Sequence, residues 1–427
     1  MALPTLTITP LKPSAPLAAS ADLHLLVCVS CPAADPADVK PRPRLNLSMA
    51  IDRSGSMRGH PLDEAKACAK RIVQSLGEGD RVSVVSYDGQ AVLEVPPATV
   101  ASKAAILAAI DRIHTRGNTN LHAGWLAAAE AAASGLSADV LTRVMVLSDG
   151  NTNDGLMDAG EIAAQAGALA AKGVVTSTIG LGRDFNEDLM SALAHQGQGQ
   201  ATYGETAEDL WPSFEAELGL LSATFGKGVR LRLVSPCGGA VSVESGLLAE
   251  GDGVWLLPNL AHEAEVTALV KVSVTGLAGA DAHLLEATVS YDGVDGSHAA
   301  PLAASSVVPL VGFAEFVIGA PDAVVAECIK ETEAADLQMQ ARTAARNGDF
   351  AAVRGIAAKL GTLADGSALI TGMSETMAEL AGQGDAALLA KEATYASSSL
   401  RGSYKSRAPE GTEAAFLKRR TRQGKAG

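Results

Sequence analysis

The sequence predicts a doubly wound α/β unit inserted in an antiparallel β-sandwich and followed by a C-terminal helical region, and three observations carry that reading. Between about Arg44 and Leu221, short runs rich in β-branched residues alternate with helical stretches, the pattern of a parallel sheet covered on both faces. On either side of this segment, alternating apolar and polar runs separated by Gly, Pro and Asp-Gly turns read as antiparallel strands. Beyond Pro321 the pattern turns helical, with breaks at Asn347-Gly348, Ala364-Asp365-Gly366 and Gly382-Gln383-Gly384. The expected divisions are 1–43 for the first sandwich strands, 44–221 for the α/β unit, 222–320 for the rest of the sandwich, 321–400 for a helical bundle, and 401–427 for a basic, disordered tail.

TLTIT and LHLLVCVS supply the first sandwich strands. LNLSMAI, RVSVVSY, TRVMVLS and VVTSTIGL are short and rich in β-branched residues, as buried central strands should be. AVLEV, closed by Pro96 and Pro97, reads as a short edge strand, because proline cannot donate to a central ladder. Pro61 opens the first helix, PLDEAKACAKRIVQSL, with Asp63 and Glu64 near its positive end, and Gly77 stops it. Further helices are expected over Ser102–Ile113, Leu121–Ala133, Asp158–Lys172, Asn186–His195 and Ala207–Leu221. After these, VRLRLV, AVSVES, VWLLP, EVTALVKVSV and HLLEATVSY alternate as half-buried strands do. The helical region shows no fixed repeat period, which favours a plain bundle over a solenoid.

The chain has 427 residues, 47% hydrophobic and 19% charged, enough apolar material for more than one core. A formal charge of -14 argues against a nucleic-acid binder, since phosphates require a Lys/Arg surplus. Only the stretch from Arg401 onward has one, with eight basic residues against Glu410 and Glu413. It reads either as a docking arm for an acidic surface or nucleic acid, or as a solvated end. No apolar run reaches the roughly 18 to 20 residues of a membrane span; the nearest, Ser305–Ile329, is broken by Pro309, Glu315, Pro321, Asp322 and Glu327. The N-terminus has no basic start leading into an apolar core, so a cytoplasmic location is expected. Five cysteines fit that location, and Cys28 and Cys31, on opposite faces of one strand, read as ordinary thiols rather than zinc or redox ligands.

The most informative stretch is LSMAIDRSGSMRGHPLDEAK, where an apolar strand runs into Asp52-Arg53-Ser54-Gly55-Ser56. One carboxylate and two hydroxyls meet in a tight turn at a strand's carboxyl end, and Gly55 leaves room for the turn. Such hard oxygens suit Mg²⁺, which prefers an octahedron at about 2.1 Å. Two further segments add donors: RGNTNLHAG places Thr119 just before a helix, and VMVLSDGNTND places Asp149 at another strand end. In a doubly wound sheet the first strand and its neighbour across the switch point open onto one crevice, so five oxygen-bearing residues can converge there. Taken singly, Asp52 or Asp149 would be read as a cap or turn residue.

With these residues in this order, the chain resembles the von Willebrand factor A and integrin-inserted domains, which are Rossmann-like and carry a metal-ion-dependent adhesion site. The resemblance implies that Asp52, Ser54 and Ser56 stand at the family's D-x-S-x-S, Thr119 at its loop threonine and Asp149 at the aspartate of its [ST]-D-G. It further implies that the hydroxyls contact the metal directly and the two aspartates often act through water. Mg²⁺ is the implied ion, with Mn²⁺ and Ca²⁺ as alternatives. The segment GLGRDFNEDLMSALAHQGQGQATYGET also looks like bacterial members loosely labelled calcium-activated chloride-channel-like, although the chain offers no span for a channel. The implied partner is a protein that supplies an Asp or Glu, with a MoxR-type AAA+ ATPase, a stress-response complex member or another cytoplasmic protein as the classes suggested.

Asp184 and Asn186 could form a second cation site or cap the helix that follows, and Asp88 and Asp154 read as turn residues. His60, His114 and His122 flank the site without a recognisable metal-ligand spacing. Three functions compete: a Mg²⁺-dependent, non-enzymatic binding module, a metal-dependent hydrolase, and a scaffold with a structural metal. Against hydrolysis, the chain lacks G-x-x-x-x-G-K-[ST], H-E-x-x-H and G-x-S-x-G motifs, and Ser54 and Ser56 have no identifiable base. Against a purely structural ion, a strand-end crevice faces solvent and hydroxyl ligands leave the ion electron-poor. The binding reading leads.

Overall fold

The computed structural model describes residues 3–34, 42–149, 152–181, 186–204, 206–401 and 404–406. These fall into two compact units, one within Arg42–Ser222 and the other drawn from Met1–Pro41 and Ala223–Thr412. The chain begins with strands β1 (Thr5–Pro10), β2 (Ala15–Pro16) and β3 (Ala21–Ser30). It continues through β4 (Arg44–Asp52), α1 (His60–Ser75), β5 (Arg81–Tyr87), β6 (Ala91–Thr99), α2 (Lys103–Asp111), α3 (Leu121–Ala133) and β7 (Val140–Ser148). Then follow α4 (Ala159–Ala170), β8 (Val174–Leu181), α5 (Glu187–Gln196), β9 (Gln198–Gly204) and α6 (Ala207–Ala223).

In the first unit the strands form one sheet in the order β6-β5-β4-β7-β8-β9. All neighbours are parallel except the β5–β6 pair. The central strands explain their apolar composition: every residue of β4 after Arg44 and every residue of β5 after Arg81 is buried. The chain passes from β4 to β5 on one side and later returns to β7 on the other. The carboxyl ends of β4 and β7 therefore flank the switch point, where this architecture opens a crevice. At the opposite end, the buried Asp80 carboxylate accepts from the Leu45 and Gly77 amides at 2.9 and 2.7 Å and pairs with the Arg42 guanidinium.

One expectation is corrected here. The strand over AVLEV does not stop at Pro96 and Pro97 but runs on to Thr99. The register shifts between Val82↔Ala98 and Val84↔Val95, so the prolines sit in an irregular stretch of an edge strand where the ladder needs no donor from them.

The second unit adds β10 (Thr224–Val234), β11 (Ala240–Val243), β12 (Leu248–Gly251), β13 (Val254–Leu256), β14 (Leu260–Ala261), β15 (Ala264–Val274), β16 (Asp281–Gly293) and β17 (Leu302–Val311). Helices α7 (Phe313–Ile318), α8 (Ala323–Arg346), α9 (Phe350–Ala364), α10 (Ala368–Gln383) and α11 (Ala386–Leu400) and strand β18 (Tyr404–Ser406) complete it. One sheet runs β1-β3-β15-β11 with β18 also on β15, and the other runs β12-β13-β10-β16-β17-β2 with β14 on β10. β3 pairs with β15 antiparallel over Ala21–Ser30, so residues far apart on either side of the α/β segment share a ladder. Side chains from both sheets, among them Leu25, Val27, Leu231, Leu233, Val270, Val272, Ala287 and Val289, form one apolar cluster. That is why these strands alternate while β4 and β5 do not.

The helices end where the glycines predict. Gly348, Gly366 and Gly384 all take positive φ, and Asp322, Asp349 and Asp385 cap α8, α9 and α11 by accepting from amides two or three residues on. The stretch weighed as a membrane segment, Ser305–Ile329, is part of β17, all of α7 and the start of α8. Among the described residues no helix is long and apolar enough to cross a membrane. All five cysteines are free, with Cys68 and Cys328 buried and Cys28, Cys31 and Cys237 half-buried.

Within the stretch expected to be disordered, the backbone of Tyr404–Ser406 pairs with Ala264–Val266 of β15; residues 407–427 lie outside the described residues. A chain ending at Arg401 should therefore lose the ladder hydrogen bonds of Tyr404–Ser406, at about 0.5–1.5 kcal/mol each. Thermal melts should show a drop of a few degrees rather than loss of the cooperative transition.

Candidate functional site

Asp52 is the last residue of β4, level with Tyr87 of β5, and is fully buried. Its Oδ1 accepts the Ser54 amide at 2.8 Å and its Oδ2 accepts the Ser148 hydroxyl at 2.6 Å. These two bonds fix the carboxylate across the β4–β7 gap and fold the chain so that Ser54 Oγ lies 3.0 Å from Ser56 Oγ. Ser54 is buried and Ser56 is exposed, so the pair leads from the interior to the surface. A 3-10 turn over Gly55–Met57, anchored by the fully buried Met57, holds this arrangement. Gly55 has no left-handed backbone here; the positive φ angles belong to Gly59 and Gly117.

Thr119, 1% exposed, is held from two sides. On one side its amide donates to Asn153 Oδ1 at 2.8 Å, and its carbonyl accepts from the Asn153 and Asp154 amides at 3.0 and 3.2 Å. On the other, the Asn120 amide donates to the Asp88 carbonyl at 2.8 Å, while Asn120 Oδ1 caps α3 through the Ala123 amide. The loop is also joined to the Asp52 turn: the Arg116 amide donates to the Arg53 carbonyl at 2.7 Å and the Gly55 amide to the Gly117 carbonyl at 3.1 Å. Gly117, at φ +70°, lies against the Asp88 side chain, where an added Cβ would meet Asp88 Cβ at 3.2 Å. Asp149 follows Ser148 at the end of β7 and is 6% exposed.

Of the five residues singled out in the sequence, Asp52, Ser54 and Ser56 are linked by direct bonds, and the Arg116–Gly117 stretch just before Thr119 is bonded to their turn. Asp149 lies close enough that its charge raises the proton affinity of Asp52. Burial is the larger cause, and together they push the Asp52 carboxyl from 3.8 up to about 6 against the lowering bonds from Ser148 and Ser54. Burial and the Asp52 charge likewise hold the Tyr87 phenol well above its ordinary value. α3 lies flush on that ring, since a Cβ at Gly124 would meet Tyr87 carbons at 2.2 Å.

Several residues that matter here were not legible as such. Ser148, Asn120, Asn153 and Thr152 orient the loops that carry the candidate residues, and only their proximity to Thr119 and Asp149 in the sequence hinted at it. Asp88, expected as a turn residue, does accept the Gln90 amide, but it also binds Arg53 at 3.1 Å. Asp154 accepts its neighbour's amide as a turn residue does. Asn186 caps α5 through the Leu189 amide, and Asp184 lies outside the described residues. His60 faces Glu64 at 3.6 Å and His122 faces Gln165 at 2.9 Å.

Among the described residues no group of three or more His, Cys, Asp or Glu is placed to hold a metal. What the switch point does gather is the Asp52 carboxylate, the Ser54–Ser56 hydroxyl pair, and an Asp149 near enough for its charge to act on Asp52. Two buried like-charged carboxylates are costly side by side, and a cation between them relieves that cost. An oxygen-only set of this kind fits a small, hard divalent ion.

The comparisons with known proteins agree with this fold. Residues 46–215 match the family model described as von Willebrand factor type A domain. The uncharacterized protein sll0103 of Synechocystis is 32% identical over 171 residues, 40% of this chain and 40% of that protein. The uncharacterized protein YfbK of Escherichia coli is 31% identical over 193 residues, 45% of this chain and 34% of that protein. The matches thus span less than half the length of these curated relatives. Among solved structures, a von Willebrand factor type A protein from Catenulispora acidiphila superposes with a TM-score of 0.68 at 18% identity, covering 88% of this chain and 89% of its own. The ArnB paralog VWA2 from Sulfolobus acidocaldarius gives a TM-score of 0.61 at 18% identity, covering 94% of this chain and 100% of its own. At that identity they speak for the fold alone. The chain carries a von Willebrand factor type A domain over residues 46–215.

Proposed function

We propose that Asp52, Ser54, Ser56, Thr119 and Asp149 hold one divalent cation, Mg²⁺ in preference to Mn²⁺ or Ca²⁺, and that the protein is a non-enzymatic module that binds an acidic residue of a protein partner there. The observation that carries this reading is the placement of two buried carboxylates and the Ser54–Ser56 hydroxyl pair at the switch point of the sheet, with Thr119 secured beside them. When bound, the cation supplies an electrophilic position for a carboxylate from outside. The chain's own part is to orient the ligands: Ser148 and the Ser54 amide fix Asp52, and Asn153 and Asp88 fix the Thr119 loop. Ser56, exposed above buried Ser54, marks the face open to a partner. A cytoplasmic protein with accessible Asp or Glu fits, an AAA+ ATPase or stress-response complex being the class the sequence resemblance suggests.

Calorimetry tests the site. Mg²⁺ and Mn²⁺ should bind wild-type protein at one site, and Thr119→Ala should weaken binding at least about tenfold, the scale of losing one ligand or its support. Equal affinity in the two proteins would overturn the assignment. Capture of partners from native cells in Mg²⁺ and again in EDTA then tests the binding role, and retention in EDTA would count against it.

A further inference from the structure

Three arginines border the proposed metal site, and only one of them is consumed by the structure. Arg53 is the consumed one: its side chain is 12% exposed, with Nε and Nη2 both 3.1 Å from Asp88 Oδ2 and Nη1 3.6 Å from Glu94. Arg116 reaches the same Asp88 oxygen with Nε at 3.6 Å, and its side chain remains 74% exposed. Its guanidinium is thus tethered beside the Thr119 loop, and no bond engages its two Nη groups among the described residues. Arg58 stands two residues past Ser56, is exposed, and makes no side-chain bond or ion pair among the described residues. The ligand-bearing turns therefore carry a basic rim on a chain whose formal charge is -14.

Resting on the metal-site reading above, we propose that Arg116 and Arg58 select a partner segment with at least two carboxylates, one for the metal position and a second for the rim. A planar guanidinium with free Nη groups is shaped for bidentate contact with a carboxylate. In an extended segment, side chains at i and i+2 lie on one face about 7 Å apart, so one strand can serve both positions. The chain's overall negative charge repels an acidic partner at long range, which leaves recruitment to this local patch and makes it salt-sensitive.

The test uses capped pentapeptides with Asp at the second position and either Asp or Asn at the fourth, titrated into Mg²⁺-loaded full-length protein and followed by NMR. The two-Asp peptide should bind about tenfold tighter than the one-Asp peptide at low salt, and the advantage should shrink as salt rises. In the double variant Arg58→Ala/Arg116→Ala the advantage should disappear while the calorimetric Mg²⁺ affinity stays that of wild type. Equal affinities of the two peptides for wild type, an advantage that survives in the double variant, or binding of neither peptide would each overturn the proposal. The Mg²⁺ isotherm keeps that failure separate from failure of the metal site itself.

Discussion

Asp52→Asn is expected to stabilise the metal-free protein at pH 7 while abolishing the divalent-cation binding proposed for this site. The carboxyl of Asp52 is pushed from 3.8 up to about 6, chiefly by burial and further by Asp149. Its ionised form is therefore disfavoured in the fold by about 3 kcal/mol at neutral pH. Asparagine keeps an acceptor for the Ser54 amide and a polar contact for Ser148 but carries no charge, so the penalty disappears. The sign follows from proton binding: between about pH 4 and 6 the folded state holds the Asp52 proton more tightly than the unfolded chain. This group's contribution to stability thus falls as pH rises through that window and is flat above it. The difference between variant and wild type should grow over the same window and vanish below it. In wild type, protons compete with the cation, so Mg²⁺ affinity should drop up to about tenfold per pH unit below 6. Melts across pH, paired with calorimetry, decide the matter; a variant less stable at pH 7, or one that still binds Mg²⁺ like wild type, would sink the argument. A functional site held at a cost to the fold is the expected pattern for such a ligand.

Asp80→Ala should produce the largest loss of stability, about 3–5 kcal/mol, at the end of the sheet away from Asp52. The carboxylate is 1% exposed and accepts from the Leu45 and Gly77 amides as well as from Arg42. Arg42 is 37% exposed, so solvent screens its share, and most of the loss comes from amides left without an acceptor. Asp80→Asn, which restores one acceptor, should recover part of the loss. Denaturant titration reads the effect, and a change below about 1 kcal/mol in Asp80→Ala would refute it. Below its melting point the variant should still bind Mg²⁺, because none of these bonds touches the switch point.

The sequence alone determined the kinds of element and the identity of the candidate ligands. Short β-branched runs such as RVSVVSY, buried on nearly every residue, and alternating runs such as EVTALVKVSV differ because one sheet is covered on both faces and the others on one. The glycines at 348, 366 and 384 mark helix ends because only a residue without Cβ takes positive φ at little cost. Asp52, Ser54 and Ser56 were legible because five consecutive positions carry their spacing. Long-range pairing was decided by tertiary structure alone. No local pattern states that Ser148 donates to Asp52 from 96 residues away, that Asn153 fixes Thr119, or that Asp88 binds Arg53 closely and Arg116 only at 3.6 Å. The edge strand that runs through Pro96 and Pro97, and the three residues of the basic tail that join β15, belong with these. Whether a residue donates, accepts or stands idle depends on which distant backbone the fold brings to it, and that is settled by packing rather than by propensity.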